Sequence, residues 1–376
     1  MKPIFVILLF VWALTGYGQN LHNHATIYIG ASGVLYVSGD LTNNGLIVNN
    51  GDMQVGGAWT NNNQYDAGTG KITFNSNLPQ IVNHNDQSFS RLTISGGGQK
   101  FFLANITIED ELVLNSGTLV SQNDAILFFS DGVTISDASD QSHIVGPVQH
   151  SGSGNKLFPI GNGSVYLPVQ VNSIPSNAEV RVSTTELNGS TTLLKSNSLK
   201  NISDQRYFTL NVISGSLGDA TLTLPVKNEN SLSDMQSLVV AQALALHDPF
   251  ASLGKSSVSG SLSDGSVTSE LPLTGILFAI ASADLSGIMV FNAVAPNGHE
   301  PNRYMRIANL PAPNKVSVYN RWGDKVYEIE NYDDTISGKR FEGIATNGNE
   351  LPPGNYFYKI EIGNSSPITG FLSLRR

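Results

Sequence analysis

Three sets of polar residues in the sequence have types and spacings that could carry chemistry. His22 and His24 are two residues apart, a spacing that places both imidazoles on one face of a strand, where they could bind a metal ion. Glu109, Asp110 and Glu111 could supply half of a glycosidase carboxylate pair, which requires a separation of about 5 to 10 Å. Serines stand among glycines in GNGSVY and SGSGNK. The hypotheses are therefore a metal site, a glycosidase and a serine nucleophile.

Each set also has a simpler structural explanation. The two histidines lie beside the expected mature N-terminus, where an exposed pair is expected. Consecutive strand residues alternate between faces, so residues 109–111 are expected to form a solvated turn rather than a catalytic pair. The sequence has no G-x-S-x-G, H-E-x-x-H or P-loop motif, and no cysteine for a thiol nucleophile or a thiolate zinc site. We therefore predict a non-enzymatic protein with no catalytic residue, metal ligand or cofactor.

The first 18 residues predict export. Lys2 precedes an apolar run over residues 4–14, and small and polar residues follow, a pattern typical of a signal peptide. The run is shorter than the roughly 20 apolar residues that cross a bilayer, and the nearest later candidate is GILFAIASA around Ile276. We expect no transmembrane segment, cleavage near Gly18 and Gln19, and a secreted or outer cell-surface location.

The charge pattern limits the classes of partner that the protein is expected to bind. Charged residues make up 14% of the chain, against a usual value of about 25%, and glycine is plentiful. This composition is typical of a β-rich extracellular protein. The net charge is −9, and residues 287–376 are near neutral while the preceding part is acidic. Because no basic cluster is present, we predict no nucleic-acid binding and no electrostatic membrane anchor.

Residues 19–145 form an Asn/Gly-rich repeat region. VSGDLTNN from Val37 and VGGAWTNN from Val55 align without gaps at an offset of 18 residues, among short runs with alternating apolar residues. A β-solenoid with stacked asparagines fits this pattern, and an antiparallel sandwich with Asn-Gly hairpins also fits. The gapless offset favours the solenoid. Trp59 takes the register of Leu41, so we expect it in the core or at a coil edge rather than on a sugar-binding platform.

Residues 146–286 are predicted to form an immunoglobulin-like β-sandwich. Glycine, serine and proline cluster between residues 146 and 168, and longer alternating runs follow at turn-separated intervals. The Leu- and Ala-rich segment 237–246 could be a short helix instead. The predicted fold class is therefore all-β, with this central sandwich between the repeat region and a third β-unit.

Residues 287–376 are predicted to form a small β-sandwich. KVSVYNRWGDKVYEI reads as a strand pair with its corner at residues 321–324, and in NYFYKIEI the residues Tyr356, Tyr358, Ile360 and Ile362 share one face. The last strand is ITGFLSLRR, which places Phe371 opposite the leucines. Asp334-Thr335-Ile336 also resembles a Bacteroidetes O-glycosylation site.

The C-terminal unit resembles the gliding motility-associated C-terminal domain of Bacteroidetes, the type B sorting domain of the type IX secretion system. The motifs that carry the resemblance are VYNRWGDKVYE, LPPGNYFYKIEI and TGFLSLRR, with PNG at 296–298 and MRI at 305–307. The resemblance implies recognition by the outer-membrane translocon. The residues expected to serve sorting or recognition are Arg321, Trp322, Gly323, Gly354, Tyr356, Gly370, Phe371, Leu374, Arg375 and Arg376.

One loop departs from the family pattern. Family members carry an Asp-rich loop where this chain has NGHEPN at 297–302, which retains only Glu300, so no metal is predicted there.

The two arginines at the end of the chain have two explanations. Arg375 and Arg376 could be a solvated end that keeps an edge strand from aggregating. The family pattern favours recognition instead.

Together these features predict an exported, modular surface or secreted protein with a structural or adhesive role. Its partners would be the type IX translocon and a surface glycan or a host or matrix ligand. The alternative is a carbohydrate-binding or hydrolytic module within residues 19–286.

Overall fold

A computed structural model describes residues 19–189, 191–284, 287–298, 302–363 and 366–376. The predicted signal peptide lies outside the described residues, as do His299, Glu300 and Pro301 of the NGHEPN loop. About half of the described chain is strand, and a single 3₁₀ turn, Met235–Ser237, is its only helical element, which confirms the all-β prediction. No helix in this part of the chain is long and apolar enough to cross a membrane.

Residues 19–145 form a parallel β-solenoid of about six turns. The strands are β1 (Leu21–Asn23), β2 (Thr26–Ile29), β3 (Val34–Val37), β4 (Leu41–Asn43), β5 (Leu46–Asn49), β6 (Asp52–Val55), β7 (Trp59–Asn61), β8 (Gln64–Asp66), β9 (Lys71–Phe74), β10 (Gln80–Asn83), β11 (Ser88–Ile94), β12 (Lys100–Phe102), β13 (Ile106–Leu114), β14 (Leu119–Ser121), β15 (Leu127–Phe129), β16 (Thr134–Ser136) and β17 (Ile144–Val145). The solenoid prediction is confirmed, and the alternative of antiparallel hairpins is wrong for this region.

The strands stack into three parallel sheets. The first contains β1, β4, β7, β10, β12, β14 and β17, and the second contains β2, β5 and β8. The third begins with β3, β6, β9, β11 and β13, after which β13 pairs with both β15 and β16. The first three coils therefore have three strands each, and the later coils lack the strand of the second sheet.

The 18-residue sequence offset is the coil register. Leu41 pairs with Trp59 and Asn43 with Asn61, and both Leu41 and Trp59 are fully buried in the core. The carboxylates of residues 109–111 were expected in a turn, but they lie within β13. The register shifts there because the strand bends as it changes partner from β15 to β16, and this bulge leaves Glu109 and Asp110 exposed.

Buried asparagines connect the first three coils as a ladder. Asn23 Nδ2 donates to Asn43 Oδ1, and Asn43 Nδ2 donates to Asn61 Oδ1, each at 2.7 Å. Asn43 also donates to the carbonyl of Gln64 at 3.0 Å and accepts from the N–H of Gly45 at 3.1 Å. The amides of Asn23 and Asn43 thus pair both with the next coil and with their own corner, so no polar group of Asn43 is buried without a partner. Asn61 accepts from Asn43, and its own Nδ2 is buried without a partner where the ladder ends.

The ladder ends at an aromatic cluster. His84 occupies the position of the next asparagine, since the register that pairs Trp59 with Val82 brings residue 84 opposite Asn61. Trp59 Nε1 donates to His84 Nδ1 at 3.1 Å, and the His84 ring stacks on Phe89 at 3.6 Å. Burial lowers the pKa of His84 to about 3, so its imidazole is neutral at physiological pH.

The central region is a two-layered sandwich that continues the solenoid. Its strands are β18 (Val148–Phe158), β19 (Val169–Glu186), β20 (Leu199–Ile202), β21 (Arg206–Ser214), β22 (Thr221–Val226), β23 (Leu238–Ala243), β24 (Ala251–Ser252), β25 (Ser257–Gly260), β26 (Gly265–Thr268) and β27 (Leu277–Ala283). β18 pairs in parallel with β15 and antiparallel with β19, so the third solenoid sheet runs directly into the sandwich.

One hydrophobic core crosses this junction, from Ile29 in the first coil to Ile280 in β27. The long strand β19 joins the two layers of the sandwich, because its first part pairs with β22 and its second part with β21. The helical alternative for residues 237–246 is wrong. Most of this segment is β23, which lies between β27 and β24 in the sheet and whose residues are all buried except the half-buried Gln242.

The C-terminal unit has its own core and one five-stranded sheet. Its strands are β28 (Met289–Val290), β29 (Ala293–Val294), β30 (Ile307–Ala308), β31 (Lys315–Tyr319), β32 (Lys325–Glu330), β33 (Gly354–Glu361) and β34 (Ile368–Leu374). The sheet order is β29-β34-β33-β31-β32, and β28 pairs with β30. Tyr356, Tyr358, Ile360 and Ile362 all face the core, as the alternating pattern predicts.

We expect Asn43→Ala to destabilise the solenoid far more than Asn62→Ala. The first substitution removes the central member of the buried ladder, at an expected cost of about 2–4 kcal/mol in the free energy of unfolding. Asn62 is exposed and donates one bond to Asn44, so its loss should cost less than about 0.5 kcal/mol. Chemical denaturation followed by fluorescence of the buried Trp59 measures the free energy of unfolding of both variants. Equal losses of stability in the two variants would contradict the stabilising role of the asparagine ladder.

The buried histidines predict a loss of stability in acid. Burial lowers the pKa of His84 to about 3 and that of His150 to about 4, from an ordinary value of 6.5. Because the unfolded chain takes up these protons first, stability is complete above about pH 6.5 and falls as the pH approaches 4. Each histidine contributes up to about 1.4 kcal/mol per pH unit. His84→Gln should reduce the slope of the free energy of unfolding against pH by the share of one proton, up to about 1.4 kcal/mol per pH unit. The exposed control His22→Gln should not reduce it. If His84→Gln and the unsubstituted protein have identical slopes, His84 is excluded as a source of the acid sensitivity.

Candidate functional site

The sheet topology gathers most of the predicted sorting residues at one end of the C-terminal sheet. β31 runs into the turn at residues 320–324, β33 starts beside it, and β34 ends beside the start of β33, where Gly354 pairs with Leu374. We call this the hairpin end of the sheet. The Arg-Trp-Gly turn and the two terminal arginines, far apart in sequence, therefore lie at the same end.

The hairpin turn is built to hold an exposed aromatic residue. Asn320 Oδ1 accepts hydrogen bonds from the N–H groups of Trp322 and Asp324, both at 2.9 Å, and the N–H of Gly323 donates to the Asn320 carbonyl at 3.1 Å. Gly323 has a φ of 87°, a left-handed conformation that glycine adopts without strain. Trp322 is 75% exposed, and the Arg321 guanidinium lies 4.8 Å from its ring centroid.

Three more aromatic side chains lie on the outer face of the sheet near this turn. Phe357 pairs directly with Phe371 across β33 and β34, and the side chains are 50% and 55% exposed. Tyr319, the last residue before the turn, pairs with Phe357 from the other side. Phe357 was absent from the predicted set, although strict alternation along NYFYKIEI places it opposite the buried Tyr356 and Tyr358 and so signals an exposed position.

Four of the predicted residues serve the fold around this surface. Leu374 is buried in the core, and Tyr356 is buried with its hydroxyl donating to the Pro352 carbonyl at 2.8 Å. Gly370 pairs with Tyr358, and any side chain at position 370 would collide with the tyrosine ring. Gly354 begins β33 with open space around it. These residues shape the sheet that carries the exposed ones.

The two terminal arginines have different environments. Arg376 Nε donates to the Leu351 carbonyl and its Nη2 to the Gly343 carbonyl, both at 3.0 Å, and its Nη1 lies 2.9 Å from Glu350. Its side chain is only 16% exposed. Arg375 is exposed, and its side chain makes no hydrogen bond or ion pair within the described part of the chain. Alternation along β34 explains this, since residue 375 shares the outer face with Phe371 and residue 376 the inner face with Leu374.

The end of β34 lies between β33 and β29, because Ser373 and Leu374 pair with Ala293 and Val294. The strand end that precedes the arginines is therefore not an open edge, which argues against their role as guards of an edge strand. On the outer face, Lys325 and Lys315 lie 2.6 Å and 3.2 Å from Glu328, and the Lys325 hydrogen bond lowers the pKa of Glu328 to about 2. The charges of Lys315, Lys325 and Glu328 are paired, so the hairpin end presents aromatic surface and two exposed cations without an ion pair in the described part of the chain, Arg321 beside the Trp322 ring and Arg375.

The other candidate residues are dispersed. His22 and His24 are exposed at the start of the solenoid, and Glu109 and Asp110 lie exposed on β13. No group of three or more metal-ligating side chains comes together among the described residues. Thr335 of the Asp-Thr-Ile segment is exposed on the loop after β32, with its hydroxyl donating to Asp333 at 2.6 Å.

Comparison with known proteins bears on the type of the C-terminal unit. No curated protein and no solved structure matches the chain. The family model of the CHU_C type IX secretion signal domain matches residues 288–374, which confirms the sorting-domain resemblance and leaves Arg375 and Arg376 outside the match. The C-terminal unit is therefore similar to a type IX secretion signal domain, which implies export by the type IX secretion system and a secreted or outer-surface location.

Proposed function

We propose that this protein is a non-enzymatic surface or secreted module with a structural or adhesive role, and that the hairpin end of its C-terminal sheet is what the outer-membrane translocon recognises. The observation that carries the proposal is that the exposed residues Trp322, Phe357, Phe371 and Arg375 all lie at the hairpin end of the sheet. Exposed aromatic residues beside a cation are the composition of interface hot spots. The supporting sheet is preformed, so recognition needs no further folding.

The proposal assigns different roles to the two terminal arginines. Arg375 is the recognition cation, because it is exposed on the face that carries Phe371. Arg376 is a latch that holds the end of β34 against the loop that contains Gly343 and Leu351. A deletion of residues 369–376 would remove nearly all of β34, which pairs with β33 along its length, and would unfold the domain, so it cannot separate these two roles.

The body of the protein suits a stalk or adhesive surface. The solenoid and sandwich share one core, so they support a rigid platform for the sorting domain. The absence of cysteine in the sequence means that this rigidity rests on packing and hydrogen bonds alone. We place the mature start near Gln19, after cleavage of the predicted signal peptide.

We expect Trp322→Ala combined with Phe371→Ser to leave most of the protein in the periplasm. Truncating a hot-spot aromatic residue typically costs about 2 kcal/mol or more in binding, about thirtyfold in affinity. Met289→Ala is the matched control, since Met289 is 58% exposed in the same domain but lies in the β28–β30 pair, outside the five-stranded sheet. Cell fractionation measures the delivered fraction, and normal surface delivery of the double variant would refute the proposed surface.

Arg376→Ala and Arg375→Ala should separate stability from recognition. Arg376→Ala removes two hydrogen bonds to carbonyl groups and should lower the free energy of unfolding of the C-terminal domain by about 1–3 kcal/mol. The ion pair with the exposed Glu350 adds little. Arg375→Ala should leave stability unchanged and reduce surface delivery. Thermal denaturation and fractionation of both variants test this division, and a destabilising Arg375→Ala would contradict it.

A further inference from the structure

A cleft of about 550 Å³ lies where the last solenoid coil meets the central sandwich. Its floor is the outer face of the sheet formed by β18, β19, β22 and β26, where the register places Gln170, Thr223 and Thr268 in one row across the strands. Tyr166 and residues 139–140 form one side of the cleft. The cleft therefore combines a sheet face with an aromatic wall.

Gln170 and Thr223 line the floor and belong to a connected set of amide and hydroxyl groups that continues along the sheet to Asn172 and Thr268. Gln170 Nε2 donates to Asn172 Oδ1 at 2.6 Å, and Asn172 Nδ2 donates to Thr223 Oγ1 at 3.0 Å. Thr223 Oγ1 in turn lies 2.9 Å from Thr268 Oγ1. All four side chains are half-buried and hold each other in place. An amide has two donors and two acceptor lone pairs, so this set keeps hydrogen-bonding capacity for the hydroxyl groups of a ligand.

The wall supplies apolar surface at a fixed position. The N–H of Tyr166 donates to Asp140 Oδ1 at 2.8 Å, and its ring lies nearly parallel to that of His143 at 6.4 Å. Burial raises the pKa of Tyr166 to about 12, so the phenol stays protonated and can donate a hydrogen bond. Pro168 and Pro225 extend the apolar lining. A ligand here needs both apolar C–H faces and polar hydroxyls.

The charges at the rim exclude an anionic ligand. Lys227 is the cation that lines the cleft, and its Nζ lies 2.8 Å from Asp264 and 3.9 Å from Asp140. Two exposed carboxylates therefore outnumber one paired ammonium group. The chain as a whole also carries a net charge of −9. A phosphate, sulfate or uronate group would be repelled rather than held.

We propose that this cleft binds a neutral oligosaccharide, with a sugar ring against Tyr166 and its hydroxyls bonded to Gln170 and Thr223. The volume lies within the range of small-molecule sites. The inference names a ligand class for the adhesive part of the proposed function and is independent of the export part. Thr223→Val should therefore lose sugar binding and keep normal surface delivery.

The test uses the mature chain, residues 19–376, and neutral hexasaccharides of glucose, mannose, galactose and xylose as probes. Binding is measured by isothermal titration calorimetry, with polygalacturonate and chondroitin sulfate fragments as anionic counterparts. Tyr166→Ala and the nearly isosteric Thr223→Val should each weaken binding at least about tenfold. Tyr28→Ala removes a more exposed tyrosine from the first solenoid coil and should change nothing. Unchanged thermal denaturation shows that a variant is folded.

Binding of at least one neutral hexasaccharide that both cleft variants weaken supports the proposal. It is overturned if none of the neutral probes binds at about 5 mM, if the anionic fragments bind more tightly, or if Tyr28→Ala abolishes binding while Thr223→Val does not. A Tyr166→Ala chain that fails to fold leaves Thr223→Val to decide. Loss of surface delivery in Thr223→Val would contradict the separation from export.

Discussion

The stacking of coils through Asn23, Asn43 and Asn61 is the constraint on which the rest of the structure depends. Leaving a buried amide unpaired costs free energy, and Asn23 and Asn43 pair their Nδ2 groups because an asparagine of the next coil stands directly above each of them. A slip of one residue would break the ladder and also turn every apolar side chain outward. The polar ladder and the apolar core therefore specify the same register.

Each parallel sheet of the solenoid ends in an open strand edge. On the side toward the sandwich, the third and second sheets are closed in different ways. In the third sheet, β18 continues the stack and then pairs antiparallel with β19. In the second sheet, the amide of Gln87 takes the place of a fourth strand, accepting from the N–H of Tyr65 at 2.8 Å and donating to the carbonyl of Asn63 at 2.6 Å. Covering edges in this way prevents strand addition by other chains. It also makes the solenoid and sandwich one body, which suits the proposed stalk.

The sequence predicted the strand register, which side-chain alternation determines. It left open the type of the turns and of one segment, which depend on tertiary packing. The 18-residue offset predicted the pairing of Leu41 with Trp59, because strand register follows side-chain alternation. Asn-Gly corners were ambiguous, since they suit both hairpins and coil turns. Gly45 is needed because a Cβ there would collide with the Ala25 carbonyl of the previous coil, a contact that no local pattern reveals. Similarly, the Leu- and Ala-rich segment around residue 240 became a strand because β27 pairs along it.

The candidate site shows the same division at the end of the chain. Two adjacent arginines look equivalent in sequence, but period-two alternation sends their side chains to opposite faces of β34. That step follows from the sequence alone. The position of the loop that receives Arg376 does not, because Gly343 and Leu351 come from a segment between β32 and β33 whose path depends on the folded core. A basic terminus can therefore combine a latch and a recognition charge in neighbouring residues, and only the strand beneath them determines which residue does which.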